Sequence, residues 1–234
     1  RHPLPRPAHL LFHLFSQSPP PIPKIVAAGR RALGLSANPL LLVAAQVGLS
    51  RPDTAALRAA FTRLADSPKG DLTLQRHLTS LYRSACPTCK APGVAVWFAW
   101  DRDGSYPFKK AVRCPRCAGV QEGNVDDQDV QAPRQIPPRG LAYYYALDRA
   151  APADYPMRER TAELLELYTP RNLSALMDLA LRLEGLEADR EVKIVLAAAL
   201  LDCCDACDSL DHYDEPPHRP RTLRIPPLYL ERNV

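Results

Sequence analysis

Apolar residues fall into short runs at the start of the chain and into helical stretches after position 150. His9–Phe15 reads as a buried strand, Pro23–Ala28 as a short helix ending at Gly29, and Arg30–Leu35 as a second strand. Ser36-Ala37-Asn38-Pro39 is a turn and a helix start, with Asn38 as N-cap and Pro39 at the first helical position. Leu40–Gly48 is apolar almost all round, so this helix is expected to be buried. The order strand, helix, strand, helix predicts the start of a parallel α/β sheet.

Further on, Ala55, Ala56, Ala59, Ala60 and Leu64 follow helical spacing after Arg51-Pro52-Asp53. Leu72–Tyr82 continues as a second helix beyond a break at 68–70. Val94–Trp100 and Tyr106–Arg113 read as strands joined by a turn at Asp103-Gly104, with Val94, Val96 and Phe98 alternating against Ala95, Trp97 and Ala99. Gln121–Pro138 is acidic, then Pro-rich, and reads as a linker. Ala142–Leu147, with three consecutive tyrosines, reads as a sheet-edge strand or a docking patch. A helix is expected over Pro156–Leu167. A longer one runs from Thr169 (N-cap) and Pro170 to about Leu186, with a core stripe of Leu173, Leu176, Leu179, Ala180 and Leu183. Arg190–Cys207 is apolar nearly all round and is expected to be buried. Arg219–Val234 is an extended, Pro-rich tail.

The strand pair carries the clearest chemistry. Cys86-Pro87-Thr88-Cys89 precedes it and Cys114-Pro115-Arg116-Cys117 follows, with 24 residues between the two Cys-x-x-Cys pairs. That is the layout of a zinc ribbon: each pair is a knuckle, and the hairpin brings the second under the first. Cys86, Cys89, Cys114 and Cys117 would close a tetrahedral site with no open position, so the expected zinc is structural. The alternative is four free or disulfide-bonded thiols. Cys203, Cys204 and Cys207 lack a second pair and read as small core residues. Trp97, Lys109, Lys110, Arg113 and Arg116 are candidates for nucleic-acid contact by stacking and phosphate pairing. The alternative is a Trp packed on the neighbouring domain among solvated cations.

Composition narrows the setting. The 234 residues are 46% hydrophobic and 24% charged, with 25 Pro against 10 Gly, which describes a globular chain with stiff connections. Seven Cys, four of them in knuckle pairs, suit a reducing compartment, and a cytoplasmic location is expected. Pro39–Ala45 and Ile194–Leu201 are too short to span a bilayer, and no signal-peptide core is evident. The net charge of +4 hides an asymmetry: residues 1–125 hold 17 Lys and Arg against 6 Asp and Glu, residues 126–234 hold 13 against 20. A basic half containing a ribbon suggests a polyanionic partner, with a solvated surface balanced by the acidic half as the alternative.

Several segments resemble one family. Phe15-Ser16-Gln17-Ser18-Pro19 and, after ten intervening residues, Arg30-Arg31-Ala32-Leu33-Gly34-Leu35-Ser36-Ala37-Asn38-Pro39 resemble the opening of a DNA amino-methyltransferase. Leu81-Tyr82 ahead of the ribbon, Tyr168-Thr169-Pro170-Arg171-Asn172-Leu173, and Glu231-Arg232-Asn233-Val234 resemble segments of its zinc-ribbon-containing members, of N4-cytosine or N6-adenine type. The resemblance implies an α/β protein: a partial Rossmann-like methyltransferase segment with an inserted zinc ribbon and a helical region. It implies S-adenosylmethionine as cofactor, at Phe15, Ser16, Ser18, Ser36 and Asn38. Where the family has glycines this chain has Gln17 and Pro19. Ser36 stands for the ribose-binding acid, and His13-Leu14 for Asp-Pro.

The organisation expected is a methyltransferase segment (1–60), connecting helices (61–85), ribbon (86–120), linker and strand (121–155), helical region (156–212) and tail (213–234). Family members flip a base and methylate its exocyclic nitrogen, with an Asp-Pro-Pro-Tyr-type motif accepting hydrogen bonds from that amino group. Here Pro226-Pro227 leads into Leu228 without the polar residue in front, so no catalytic residue is assigned. The expectation is an incomplete or inactive DNA methyltransferase-like protein that does not methylate DNA alone. DNA, and a second chain or domain completing the sheet, are the expected partners, with no membrane. The alternative is a non-catalytic zinc-ribbon module binding nucleic acid or a protein.

Overall fold

A computed structural model of the chain describes residues 10–13, 22–214 and 223–234. They form two compact units, one within residues 1–64 and 185–199, the other within residues 65–184 and 200–234.

In the first unit β1 (Leu10–His13) pairs in parallel with β2 (Arg31–Gly34), Leu10 opposite Arg31, and α1 (Ile22–Ala27) lies between them in sequence. Gly29 ends the α1 segment at φ +72°, a left-handed conformation that glycine takes without strain. α2 (Pro39–Leu49) starts as expected, with Asn38 Oδ1 accepting from the Leu40 N–H at 2.9 Å. Its burial is not as expected: only Ala45 is buried, and Leu40 is 56% exposed. An apolar helix is buried only where a neighbour covers it, and a two-stranded parallel sheet is too narrow to do so. The pair β1–β2 is parallel but is not by itself a Rossmann-like sheet. In α3 (Thr54–Asp66), Ala60 and Leu64 are buried, as the spacing predicts. In α9 (Arg190–Ala206) only Val192 and Leu196 are buried, which corrects the expectation of a helix buried all round.

The second unit is built on an antiparallel sheet. β5 (Arg83–Ala85), β6 (Pro92–Asp101), β7 (Tyr106–Cys114) and β8 (Gly119–Asn124) follow in that order, and β9 (Leu228–Arg232) pairs with the outer half of β6. The tail is therefore a sheet strand rather than a free extension. The strict alternation expected in β6 breaks at register shifts between Ala95 and Trp97 and between Ala99 and Trp100. Such bulges turn consecutive residues inward, and Phe98, Ala99 and Trp100 are all buried. Ahead of the sheet, β3 (Pro68–Lys69) and β4 (Leu72–Thr73) form a small hairpin, and α4 (Leu74–Leu81) begins only after Thr73, whose hydroxyl accepts from the Arg76 N–H.

The expected linker is mostly ordered: β8 is followed by α5 (Asp127–Gln131), opened by a capping box between Asp126 and Asp129, and a 3-10 turn at Ala132–Gln135. The tyrosine run lies in a helix, α6 (Leu141–Ala150), not in a strand. Tyr143, Ala146 and Leu147 are buried with helical spacing while Tyr144 and Tyr145 face out. Aromatic residues favour strands only weakly, and burial on one helical face outweighs that preference. α7 (Arg158–Leu165) and α8 (Pro170–Glu184) complete the unit, with Leu173, Leu176 and Leu183 of the predicted stripe buried.

Candidate metal centre

The two knuckles are the turns of two hairpins. Cys86 and Cys89 lie between β5 and β6, and Cys114 and Cys117 lie at the turn from β7 into β8. Each knuckle closes in the same way. The residue after its second cysteine, Lys90 or Ala118, is left-handed, with φ of 60° and 52°. In the first knuckle the Cys86 N–H donates to Ala91 O at 2.8 Å and the Lys90 N–H to Cys86 O at 3.0 Å. In the second, the Cys117 N–H points at Cys114 Sγ, 3.4 Å away.

All four sulfurs lie within 4.8 Å of one another, and no other such group of His, Cys, Asp or Glu occurs among the described residues. Cys89 and Cys114 Sγ are 3.5 Å apart, Cys86 and Cys117 Sγ 4.0 Å. A tetrahedral zinc with bonds of about 2.3 Å sets sulfurs about 3.8 Å apart, between those two distances. Charge points the same way. N–H groups of Cys89 and Thr88 draw the Cys86 thiol down to about 6, with burial working against them. The Cys117 thiol is pushed up to about 12, first by its hydrogen bond to Cys89, then by burial and the other thiols. So many thiolates cannot crowd together without a cation, and a divalent metal such as zinc meets that need. Cys86 and Cys114 are buried and Cys89 and Cys117 half-buried. Four protein ligands leave no position for a reacting molecule, as in structural sites.

The proposed nucleic-acid residues are not brought together. Lys110 is 1% exposed, and its ammonium donates to Ser84 Oγ (2.9 Å), Asp126 (2.8 Å) and Asp129 (2.5 Å). It is a buried internal cation and is withdrawn as a contact, because alternation along β7 turns it to the opposite face from Lys109. Trp97 is half-buried with its ring 5.9 Å from that of Tyr213, so it is packed within this unit. Arg113 and Arg116 are exposed and Lys109 half-exposed. Sequence reasoning missed Arg83, which is exposed and flanks Val94 on the side opposite Arg113. It precedes the first cysteine by three residues, which was the available signal.

Of the residues assigned to S-adenosylmethionine, Phe15, Ser16 and Ser18 lie outside the described residues. Ser36 and Asn38 form a local cap: the Asn38 N–H donates to Ser36 Oγ at 3.1 Å.

A second polar assembly joins two motifs far apart in sequence. The Glu231 carboxylate, 1% exposed, accepts from Thr169 Oγ1 (2.6 Å), Trp100 Nε1 (2.6 Å), and Arg171 Nε (2.8 Å) and Nη2 (2.5 Å). The Arg171 guanidinium lies 4.5 Å from the Phe98 ring centroid and 5.2 Å from that of Tyr82. Burial works against this cation, and Glu231 outweighs burial and raises its pKa. Asn172 accepts from Tyr82 Oη (2.7 Å) and donates to the carbonyls of Cys207 and Arg232. Thr169-Pro170-Arg171-Asn172 and Glu231-Arg232 therefore meet across the sheet. Polar residues at the head of a helix that is otherwise striped with leucine were the signal in the sequence.

No protein-family model, curated protein or solved structure matches this chain. The fold and site define a mixed α/β protein with a small antiparallel sheet that carries a four-cysteine cluster able to hold a metal ion such as zinc. Among the described residues no helix is long and apolar enough to cross a membrane.

Proposed function

We propose that the chain is a non-catalytic zinc-ribbon module that recognises nucleic acid. The observation that carries this is the closed four-cysteine cluster, set among exposed Arg83, Lys90, Arg113 and Arg116. Zinc with four thiolates carries a charge of about −2, so the cations first offset the metal centre, and only their surplus attracts phosphate. The salt dependence is accordingly shallow: a surplus of about two cations, matched by about two phosphates, corresponds to a slope of log K against log salt of about −2. Fluorescence anisotropy of the zinc-loaded protein with a DNA duplex at stepped salt measures it. Replacing Arg113 and Arg116 by Gln reduces the slope. No binding at low salt, or a slope unchanged by these substitutions, refutes the reading.

A second reading, a relative of DNA amino-methyltransferases, draws on the parallel pair β1–β2 with α1 between them in sequence and the Asn38-capped α2 behind. Under it the chain supplies framework while a second chain or domain supplies the rest of the sheet and the chemistry. S-adenosylmethionine then raises the melting temperature of the purified chain, while tritiated methyl transfer to plasmid DNA stays at background. Absence of any thermal shift removes this reading and leaves the first intact.

A further inference from the structure

Thr169–Arg171 and Glu231 also form the floor of a cavity of about 500 Å³ in the second unit. Small-molecule sites run from roughly 300 to 1,000 Å³, with mostly apolar walls and a few polar groups that fix orientation. The walls here are the rings of Trp100, Tyr143, Tyr168 and Tyr229, with Leu165 and Ile136 between them. The rings of Trp100 and Tyr229, opposite each other on β6 and β9, stack 10° from parallel with centroids 6.2 Å apart; Trp100 is buried and Tyr229 half-buried.

The floor is polar but has no bonding capacity to spare. Both Glu231 oxygens already take two donors each, and its charge is cancelled by Arg171 in place. A molecule that enters meets mostly ring and aliphatic carbon, with Ser105 and Ser209 also in the lining. Uncompensated charge sits at the mouth. Arg139 is held by Glu166 at 2.6 Å and lies 5.6 Å from the Tyr143 ring centroid. Arg134 is exposed and makes no ion pair or side-chain hydrogen bond with any described residue. The mouth thus carries one surplus cation beside an aromatic interior.

We propose that this cavity binds a flat aromatic molecule bearing one anionic group, with its ring among the aromatic side chains of the lining, beside the half-buried Tyr229 that Trp100 backs, and its anion at Arg134. Aryl carboxylates and nucleoside monophosphates share that chemistry. Ring faces favour a flat aromatic body, and the surplus guanidinium favours an anion over a neutral or cationic head. The site owes nothing to the four cysteines, so it stands or falls separately from the metal centre.

Calorimetric titration of the zinc-loaded full chain with cinnamate, cinnamamide, adenosine monophosphate and adenosine tests it. At least one of the two anions binds saturably, about tenfold tighter than its neutral counterpart. Arg134→Gln removes that preference while the neutral analogue binds as before. Leu165→Trp, which fills the cavity, abolishes binding of both, with circular dichroism showing each variant folded. Binding of cinnamate alone identifies a small aryl acid, and binding of adenosine monophosphate alone identifies a nucleotide. The proposal is overturned if neither anion binds up to about 10 mM. It is equally overturned if charged and neutral forms bind alike, or if Leu165→Trp leaves binding intact.

Discussion

Glu231→Gln keeps the shape of the side chain and removes its charge. Arg171, 3% exposed, then has no counter-ion, and one face of the new amide presents N–H groups to the donors of Trp100 and Arg171. Breaking a buried pair by removing one partner costs about 3–5 kcal/mol, a large share of the roughly 5–15 kcal/mol by which a domain is stable. For a unit of this size each kcal/mol shifts the melting temperature by about 2–4 °C, so a fall of roughly 6–20 °C is expected. The companion variant is Arg171→Met with Glu231→Leu. It removes both charges and leaves no buried ion, so it is less destabilised than Glu231→Gln alone. Urea denaturation of the zinc-saturated protein, followed by tryptophan fluorescence, measures both. A loss under about 1 kcal/mol for Glu231→Gln, or a double variant as unstable as the sum of its singles, refutes the view that the pair is buried and coupled.

One zinc per chain is the expected result of mass spectrometry under native conditions. Replacing Cys86 or Cys114 by Ser removes it and lowers the midpoint of unfolding, as chelator does to the parent protein. Lys110→Met leaves Asp129 buried without a cation and costs about 3–5 kcal/mol in urea denaturation, whereas Lys109→Met stays within about 0.5 kcal/mol. Equal effects would refute the distinction drawn between these neighbours. Burial works to raise the Asp126 carboxyl, but hydrogen bonds from Lys110 and the Asp129 N–H overcome it and hold its pKa below the usual value. Its contribution to stability is therefore present above the ordinary carboxylate range and is lost as pH falls through the lowered folded value. A melting-temperature series on the acid side shows this loss, and Lys110→Met flattens it. Gly93→Ala places a Cβ 2.6 Å from Val112 Cγ1 and 2.7 Å from the Arg113 carbonyl oxygen. That crowding costs about 1–3 kcal/mol by thermal melting.

Much of the metal centre is legible in the sequence. Two Cys-x-x-Cys pairs carry their geometry in their spacing, because a knuckle is a local turn and the intervening hairpin is also local. Asn38 and Pro39 likewise announce the start of α2, since a cap is satisfied within three residues. The fate of the lysine pair is not legible. Lys109 and Lys110 look alike in sequence, and the strand's alternation puts one towards solvent and the other into contact with Asp129, 19 residues on. The tyrosine run suggests a strand by composition, but the spacing of Tyr143, Ala146 and Leu147 is helical, and spacing decides which face can be buried.

By itself the sequence determined the two cysteine knuckles with the hairpin between them, the starts of α2 and α8, and the absence of long apolar spans, all of which rest on local spacing. Tertiary structure alone decided that the tail becomes β9 beside β6, that Arg171 and Glu231 meet across 60 residues, and that α2 stays largely exposed. Those outcomes depend on which surfaces come together. A buried charge is tolerable only where its partner arrives, and an apolar face is hidden only where something covers it.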